Sequence, residues 1–339
     1  MGRKRKKSTK KEKYIKQICV IIFVIIVALI GWKTPAIEMM NQVIENAGLS
    51  EFVSISEEPA ITPVAAVKEN VEIKESVSES INITSEKLNI IFFDVGQADS
   101  ALVISNGQTM LIDSGNAKDG EAIINGIQAL NISKIDYLIG THIHEDHIGS
   151  MSKIVDTFEI GKIYLPYNTT STSSYYEKLL TSILNKEVSI EEAVIDDEFK
   201  VGNANCKIMS VDNNQPENQN LASIVIQMEY GNLKYLFMGD SEKENEEART
   251  WDDVDVLKVG HHGSNTSSSE EFLNQVLPEI SIISVGEGNS YKLPKEKILK
   301  RLENINSKIY RTDLDGTILL TSDGIENSIT KTDISFDGN

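Results

Sequence analysis

All five histidines of this chain fall in two short motifs. His142, His144 and His147 lie within Thr-His-Ile-His-Glu-Asp-His-Ile-Gly, and His261 and His262 are adjacent in Val-Gly-His-His-Gly-Ser. None is scattered over the rest of the 339 residues. Imidazole is the commonest metal ligand and the side chain that titrates nearest neutrality, so confining every copy to two motifs points to one site that uses both. The fold must therefore carry two distant stretches to the same place.

The first motif follows a mostly apolar run, residues 135–139, that is short, carries isoleucine and tyrosine, and is bounded by Gly140. Those properties read as a buried strand, with the histidines at its carboxyl end. If the chain there turns tightly into a helix, His142 and His144 can reach one ion while Asp146 and His147 turn to a second. Neutral nitrogen with one hard carboxylate suits zinc, and also manganese or iron. Gly149 would let the backbone pass close behind the metals. A plain helix cap needs one carboxylate and no histidines. The spacing also differs from the His-Glu-x-x-His of helix-borne protease zinc.

Residues 88–95, 99–105 and 108–113 read as a strand meander with Asn106-Gly107 as a two-residue hairpin turn. A helix over 119–130 leads to the strand before the histidines. The second half repeats the logic: strands at 223–229 and 233–238 flank a Gly231-Asn232 turn, a short acidic helix follows, and 254–259 ends at His261. Two such halves imply an α/β fold, an αββα sandwich with the metals at one sheet edge. Asp94, Asp99 and Asp113 each lie at or beside a strand end. They are candidates to orient ligating imidazoles, which usually donate their other N–H to a carboxylate.

Residues 1–16 hold nine Lys or Arg against one Glu, and 18–32 is charge-free and strongly apolar. With Lys16 snorkelling, that run approaches the ~20 residues a membrane span needs. The expected organisation is a basic cytoplasmic tail (1–16), a single transmembrane anchor (17–33), an acidic flexible stalk (34–87) and a folded domain (88–339) that holds both histidine motifs. No Ala-x-Ala-like site follows, which favours an uncleaved anchor, and the basic tail stays inside, which puts the domain outside the cell. Of a formal net charge of −18 the tail contributes +8, leaving −26 on the remainder. Such an exterior repels polyanions over ~8 Å at physiological salt, so strong nonspecific nucleic-acid binding is not expected. Two cysteines in different environments, Cys19 and Cys206, exclude a disulfide framework.

The string His142-x-His144-x-Asp146-His147 resembles the signature of the metallo-β-lactamase superfamily. Its companions are Phe93-Asp94-Val95-Gly96-Gln97-Ala98-Asp99-Ser100, Leu111-Ile112-Asp113-Ser114-Gly115, Met238-Gly239-Asp240 and Leu257-Lys258-Val259-Gly260-His261-His262-Gly263-Ser264. In order and spacing these are similar to the hydrolase domain of ComEC-type competence proteins and to the phosphorylcholine esterases of Gram-positive cell surfaces. The resemblance covers roughly residues 88–325. It implies that His142 and His144 bind one metal, that Asp146, His147 and His262 bind the other, and that Asp240 bridges both. Spacing leaves open which of His261 and His262 ligates; similarity to the esterases puts His262 on metal and His261 toward substrate, as a hydrogen-bond donor or acid. Asp146 and His261 are then the catalytic candidates, and Asn220, Ser223 and Ser264 the candidate substrate contacts. Many family members bring a third histidine to the first metal from between the two motifs, where this chain has Asn220-Leu221-Ala222-Ser223 and no histidine.

Two further departures stand out: Ala98 replaces a glycine, and Asn289-Ser290-Tyr291-Lys292-Leu293-Pro294 lacks the subfamily's histidine. The multi-helix channel of true competence proteins is absent from this sequence. The resemblance implies two divalent ions, zinc or else manganese, and a metal-activated hydroxide attacking a phosphodiester, either DNA or a phosphorylated cell-surface headgroup. The alternatives are a hydrolase of β-lactamase or thioesterase type and a noncatalytic, metal-stabilised surface-binding module.

Overall fold

Strand β1 (Leu88–Phe92) is buried along its whole length. Its alternate side chains serve two different cores: Ile90 and Phe92 face a second sheet, whereas Ile91 faces helices. A computed structural model describes Ile83 and residues 86–166, 173–214 and 216–332. The tail and anchor, and nearly all of the stalk, expected from the sequence lie outside these residues. Among the described residues no helix is long and apolar enough to cross a membrane.

The chain runs β2 (Ala101–Ser105), β3 (Gln108–Ile112), α1 (Gly120–Ala129), β4 (Lys134–Ile139), α2 (Glu145–Ile148), α3 (Met151–Thr157), β5 (Glu159–Leu165), α4 (Ser174–Asn185) and β6 (Ile190–Glu192). It continues through β7 (Glu198–Val201), β8 (Ala204–Ser210), β9 (Val225–Tyr230), β10 (Leu233–Phe237), α5 (Lys243–Glu247), β11 (Val256–Lys258), α6 (Glu270–Val276), β12 (Ile280–Ile283), α7 (Glu296–Asn304) and β13 (Lys308–Arg311). The described chain closes with α8 (Thr312–Asp315), β14 (Thr317–Ser322) and β15 (Asn327–Thr332). One sheet has the order β15-β14-β1-β2-β3-β4-β5-β6, the other β13-β12-β11-β10-β9-β8-β7.

The inner faces pack on each other, with Phe92 and Phe237 stacked across the sandwich at 6.3 Å between ring centroids. Cys206 lies in this core, and burial pushes its thiol pKa up. Ile123 and Ile127 of α1, Met151 and Ile154 of α3 and Leu179 and Ile183 of α4 cover the outer face of the first sheet. Phe272, Leu273 and Val276 of α6, with Ile298 and Leu302 of α7, cover the second. This is the αββα sandwich expected from the sequence. Helices on both outer faces explain why its strands read as continuous apolar runs.

The Asn106-Gly107 hairpin forms as expected, both residues at positive φ (45° and 76°), with Ser105 paired to Gln108. The strand expected over 88–95 stops at Phe92, and β2 starts only at Ala101. Between them the backbone leaves the ladder and bonds to the site loops: the Asp99 amide donates to the Asp146 carbonyl (3.0 Å) and the Gly115 amide to the Asp99 carbonyl (2.9 Å). Parallel pairing of β3 with β4 and of β10 with β11 sends four carboxyl ends to one rim. Those four strands are interior to their sheets, so the site sits at the strand ends and not beside an edge strand.

Candidate metal centre

The loop after β4 is held from below by Asp113. The Thr141 amide donates to Asp113 Oδ1 and the Thr141 hydroxyl to Oδ2, each at 2.8 Å. His144 caps the one-turn helix α2 in an extended conformation (φ −68°, ψ 154°), and the turn lifts Asp146 and His147 to the same side. Gly149 closes it, its amide bonded to the Glu145 carbonyl at 2.7 Å. A Cβ on Gly149 would strike that carbonyl oxygen and would lie 2.5 Å from the Ala117 amide nitrogen. Close backbone passage here is thus a steric requirement.

Asp240, at the end of β10, is the hub. His147 Nε2 lies 3.3 Å and His262 Nε2 3.6 Å from Asp240 Oδ1, and His262 Nε2 is 3.4 Å from Asp146 Oδ2. On the other oxygen, His142 Nε2 is 3.9 Å from Asp240 Oδ2 and 2.9 Å from His144 Nδ1. Two groups of potential ligand atoms result, Asp146-His147-Asp240-His262 and His142-His144-Asp240, each with its atoms within 4.8 Å of one another.

His147 Nε2, His262 Nε2 and Asp240 Oδ1 are buried and have no hydrogen-bond partner among the described residues. Orphaned buried polar atoms are costly, so three converging ones need a common partner. Donors around a tetrahedral ion with bonds of about 2.0–2.1 Å stand about 3.3–3.4 Å apart, close to the separations here. The donor set therefore fits a divalent metal.

The far nitrogens of these rings are engaged. His147 Nδ1 meets Asp113 Oδ2 at 2.8 Å; His262 Nδ1 meets the Ser284 carbonyl at 2.9 Å and Asp99 Oδ1 at 3.2 Å. His261 and His262 both adopt left-handed backbone (φ 49° and 51°), at a cost of about 1–2 kcal/mol each.

Charge is concentrated under the site. Burial disfavours the Asp240 and Asp99 carboxylates, yet His147 and His262 hold Asp240 well below the usual carboxylate range, and Lys258 with His262 does the same for Asp99. Burial would also push His262 down, but Asp240, Asp99 and Asp146 carry it up to about 10. His147 is raised for the same reason, by Asp240, Asp113 and Asp146. Asp146 falls to about 2 despite burial, through His147 and His262. His142, enclosed beside His147, is lowered well below its ordinary value by burial and by that neighbour.

Of the orienting carboxylates expected from the sequence, Asp99 and Asp113 touch imidazoles. Asp94 does not take that place: it is exposed, and its Oδ1 accepts the Gly96 amide at 3.1 Å, which is turn chemistry. Ser223 is a second correction. It is fully buried, and its hydroxyl accepts the Asp240 amide at 3.2 Å, so here it supports the hub and does not face solvent. Buried Asn220 gives its amide to Glu242 Oε1 at 3.0 Å. Partly exposed Ser264 lies in the loop after His262, where its oxygen accepts from Thr266 Oγ1 at 3.2 Å.

Sequence reasoning gave no role to Lys258, whose Nζ lies 2.7 Å from Asp99 Oδ2, or to Glu242, whose Oε1 is 3.2 Å from His261 Nδ1. Lys258 on an apolar strand was a usable signal, since a buried lysine needs a carboxylate partner. Glu242 was not, because it sits among other acidic residues of an exposed-looking helix start.

A model of the metallo-beta-lactamase superfamily matches residues 93–287, which include both histidine motifs and Asp240. The chain belongs to the metallo-beta-lactamase superfamily. Among relatives of this superfamily member, ComE operon protein 3 of Bacillus subtilis (strain 168) is 32% identical over 256 residues, covering 69% of this chain and 33% of that protein. Recombination protein 2 of Haemophilus influenzae is 32% identical over 232 residues, covering 66% and 28%. The chain thus spans about a third of the length of the relatives it matches. Among solved structures, the metallo-beta-lactamase fold protein YhfI from Bacillus subtilis aligns at a TM-score of 0.49 and 10% identity, over 69% of this chain and 100% of that one.

Proposed function

We propose that this chain is a membrane-anchored, extracytoplasmic, metal-dependent phosphodiesterase. The observation that carries it is the convergence of the buried, partnerless His147 Nε2, His262 Nε2 and Asp240 Oδ1, with His142 on the other Asp240 oxygen. In this reading His142 and His144 hold one ion, Asp146, His147 and His262 hold the other, and Asp240 lies between them. Two divalent ions there, zinc or else manganese, would supply the Lewis acidity and water activation that hydrolysis requires.

The chain's own residues do the rest. Asp113 and the Ser284 carbonyl hold the His147 and His262 rings with Nε2 forward. Asp146, ionised at neutral pH and with a third of its side chain open to solvent, can accept a proton at the mouth of the site. Left-handed backbone at His261 and His262 aims both rings at the centre from one short turn.

A phosphodiester is favoured over a β-lactam or thioester because one relative is named a recombination protein, and recombination acts on the phosphodiester backbone of DNA. A phosphorylated cell-surface headgroup carries the same ester chemistry. The apolar run at 18–32 and the basic tail before it support the anchor and its orientation.

The test is metal content and turnover together on the full-length chain, with bis-p-nitrophenyl phosphate, p-nitrophenylphosphorylcholine, DNA and nitrocefin, and His147→Ala as control. Metal-dependent phosphodiester cleavage that the substitution abolishes is expected. Two bound ions with no turnover on any of the four would instead favour a metal-stabilised binding module. Protease treatment of intact cells tests the orientation: the folded domain should be cleaved or released without permeabilisation.

A further inference from the structure

We propose that His261 is a metal ligand, the third imidazole of the ion held by His142 and His144. This rests on the two-ion reading above. It replaces the substrate-facing role that resemblance implies for His261, and it supplies the histidine that the sequence between the two motifs lacks.

The first observation is how imidazoles divide over Asp240. Oδ1 is faced by His147 Nε2 at 3.3 Å and His262 Nε2 at 3.6 Å. Oδ2 is faced by His142 Nε2 at 3.9 Å and His261 Nε2 at 3.6 Å. The tandem pair therefore splits, one ring to each oxygen of the bridging carboxylate. His261 stands nearer to Oδ2 than His142 does.

The second observation is wiring. A ligating imidazole gives its other N–H to a carboxylate or carbonyl, which sets the tautomer and turns the free nitrogen to the ion. His147 does this with Asp113, and His262 with Ser284 and Asp99. His261 is tethered on the same side but through a hydroxyl: Nδ1 meets Thr266 Oγ1 at 3.0 Å, with Glu242 Oε1 at 3.2 Å and Asn220 Nδ2 at 3.5 Å, leaving Nε2 toward Asp240. Glu242 is buried and braced, with Asn218 Nδ2 on Oε2 at 2.8 Å and Asn220 Nδ2 on Oε1 at 3.0 Å. Asn220 thus braces the carboxylate that lies beside the His261 ring.

His261 falls outside the mutual 4.8 Å grouping of His142, His144 and Asp240, so ligation draws its ring inward. Its side chain is 24% exposed, against 0% for His142 and His147 and 2% for His262.

The experiment titrates metal-free full-length chain with Co(II), read by visible absorption, and with Zn(II), read by equilibrium dialysis and elemental analysis. Wild type, His261→Ala, Glu242→Gln and His147→Ala are compared, with circular dichroism to verify folding. Wild type should bind two ions. His261→Ala should keep one at wild-type affinity, bind the second at least 10-fold more weakly, and change the absorption of only that Co(II); Glu242→Gln should weaken the same ion in the same direction. Should His261→Ala fail to fold, Glu242→Gln alone decides. Two ions at wild-type affinity with an unchanged spectrum in both variants would overturn the ligand assignment while leaving the two-ion reading intact. Fewer than two ions in wild type would remove both.

Discussion

Asp99 and Lys258 meet at 2.7 Å with each side chain only 5% exposed, directly beneath His262. An ion pair so buried gains little over apolar replacement of both partners, but removing one leaves a charge stranded in the interior. Lys258→Met should therefore destabilise the metal-free protein by about 3 kcal/mol in urea unfolding, and Asp99→Asn added to it should recover part of that loss. A cost below about 1 kcal/mol for the single change would remove the lysine from this role. The same network sets the pH response. His262, raised to about 10, is protonated at neutral pH in the metal-free chain. Its stabilising charge contacts are fully present below the ordinary histidine value near 6.5 and are lost as pH rises through about 10. Metal must displace that proton, so affinity should rise with pH and zinc binding near pH 7.5 should release about one proton or more per chain. Calorimetry in two buffers of different ionisation enthalpy measures this, and release of none would contradict the assignment of His262 as a ligand.

At the scale of elements, the helical turn α2 and the left-handed turn at residues 260–263 do the positioning. Both are too short to be stable alone, and each is fixed by the strand before it and by tertiary contacts. Gly149 is where α2 presses on the 116–117 backbone, and the atoms a Cβ would meet are main-chain atoms that cannot swing aside. Gly149→Ala should cost about 1–3 kcal/mol by overpacking and weaken metal binding through displacement of His147. Differential scanning calorimetry and the Co(II) titration read the two effects; retention of both wild-type values would mean that α2 yields more readily than its contacts imply.

For the whole molecule, the charge of −18, with nine of the 33 basic residues in the first sixteen, leaves a strongly acidic remainder. A protein that binds DNA through many phosphate contacts loses affinity steeply as salt rises. Here screening should relieve repulsion instead, so the KM for DNA should fall, or stay flat, as ionic strength rises from low to physiological values. A KM that rises steeply over that range would reveal a cationic groove strong enough to override the overall field.

The sequence by itself determined the local pieces. Short apolar runs mark the strands, the Asn106-Gly107 turn sets the register of β2 on β3, and histidines confined to two motifs name the ligand candidates, because these signals depend only on neighbours in the chain. The three-residue strand β6 and the C-terminal pairing of β14 with β1 were not legible, since so short a strand carries no period and β1 lies at the opposite end of the domain sequence from β14. Only the tertiary structure decided that Asp94 stabilises a turn, that Ser223 supports Asp240 from below, and that Lys258 and Glu242 stand behind histidines. Each of those roles depends on which atoms two folded sheets bring within about 3 Å of each other. An aspartate at a strand end looks the same in sequence whether or not an imidazole ends up beside it.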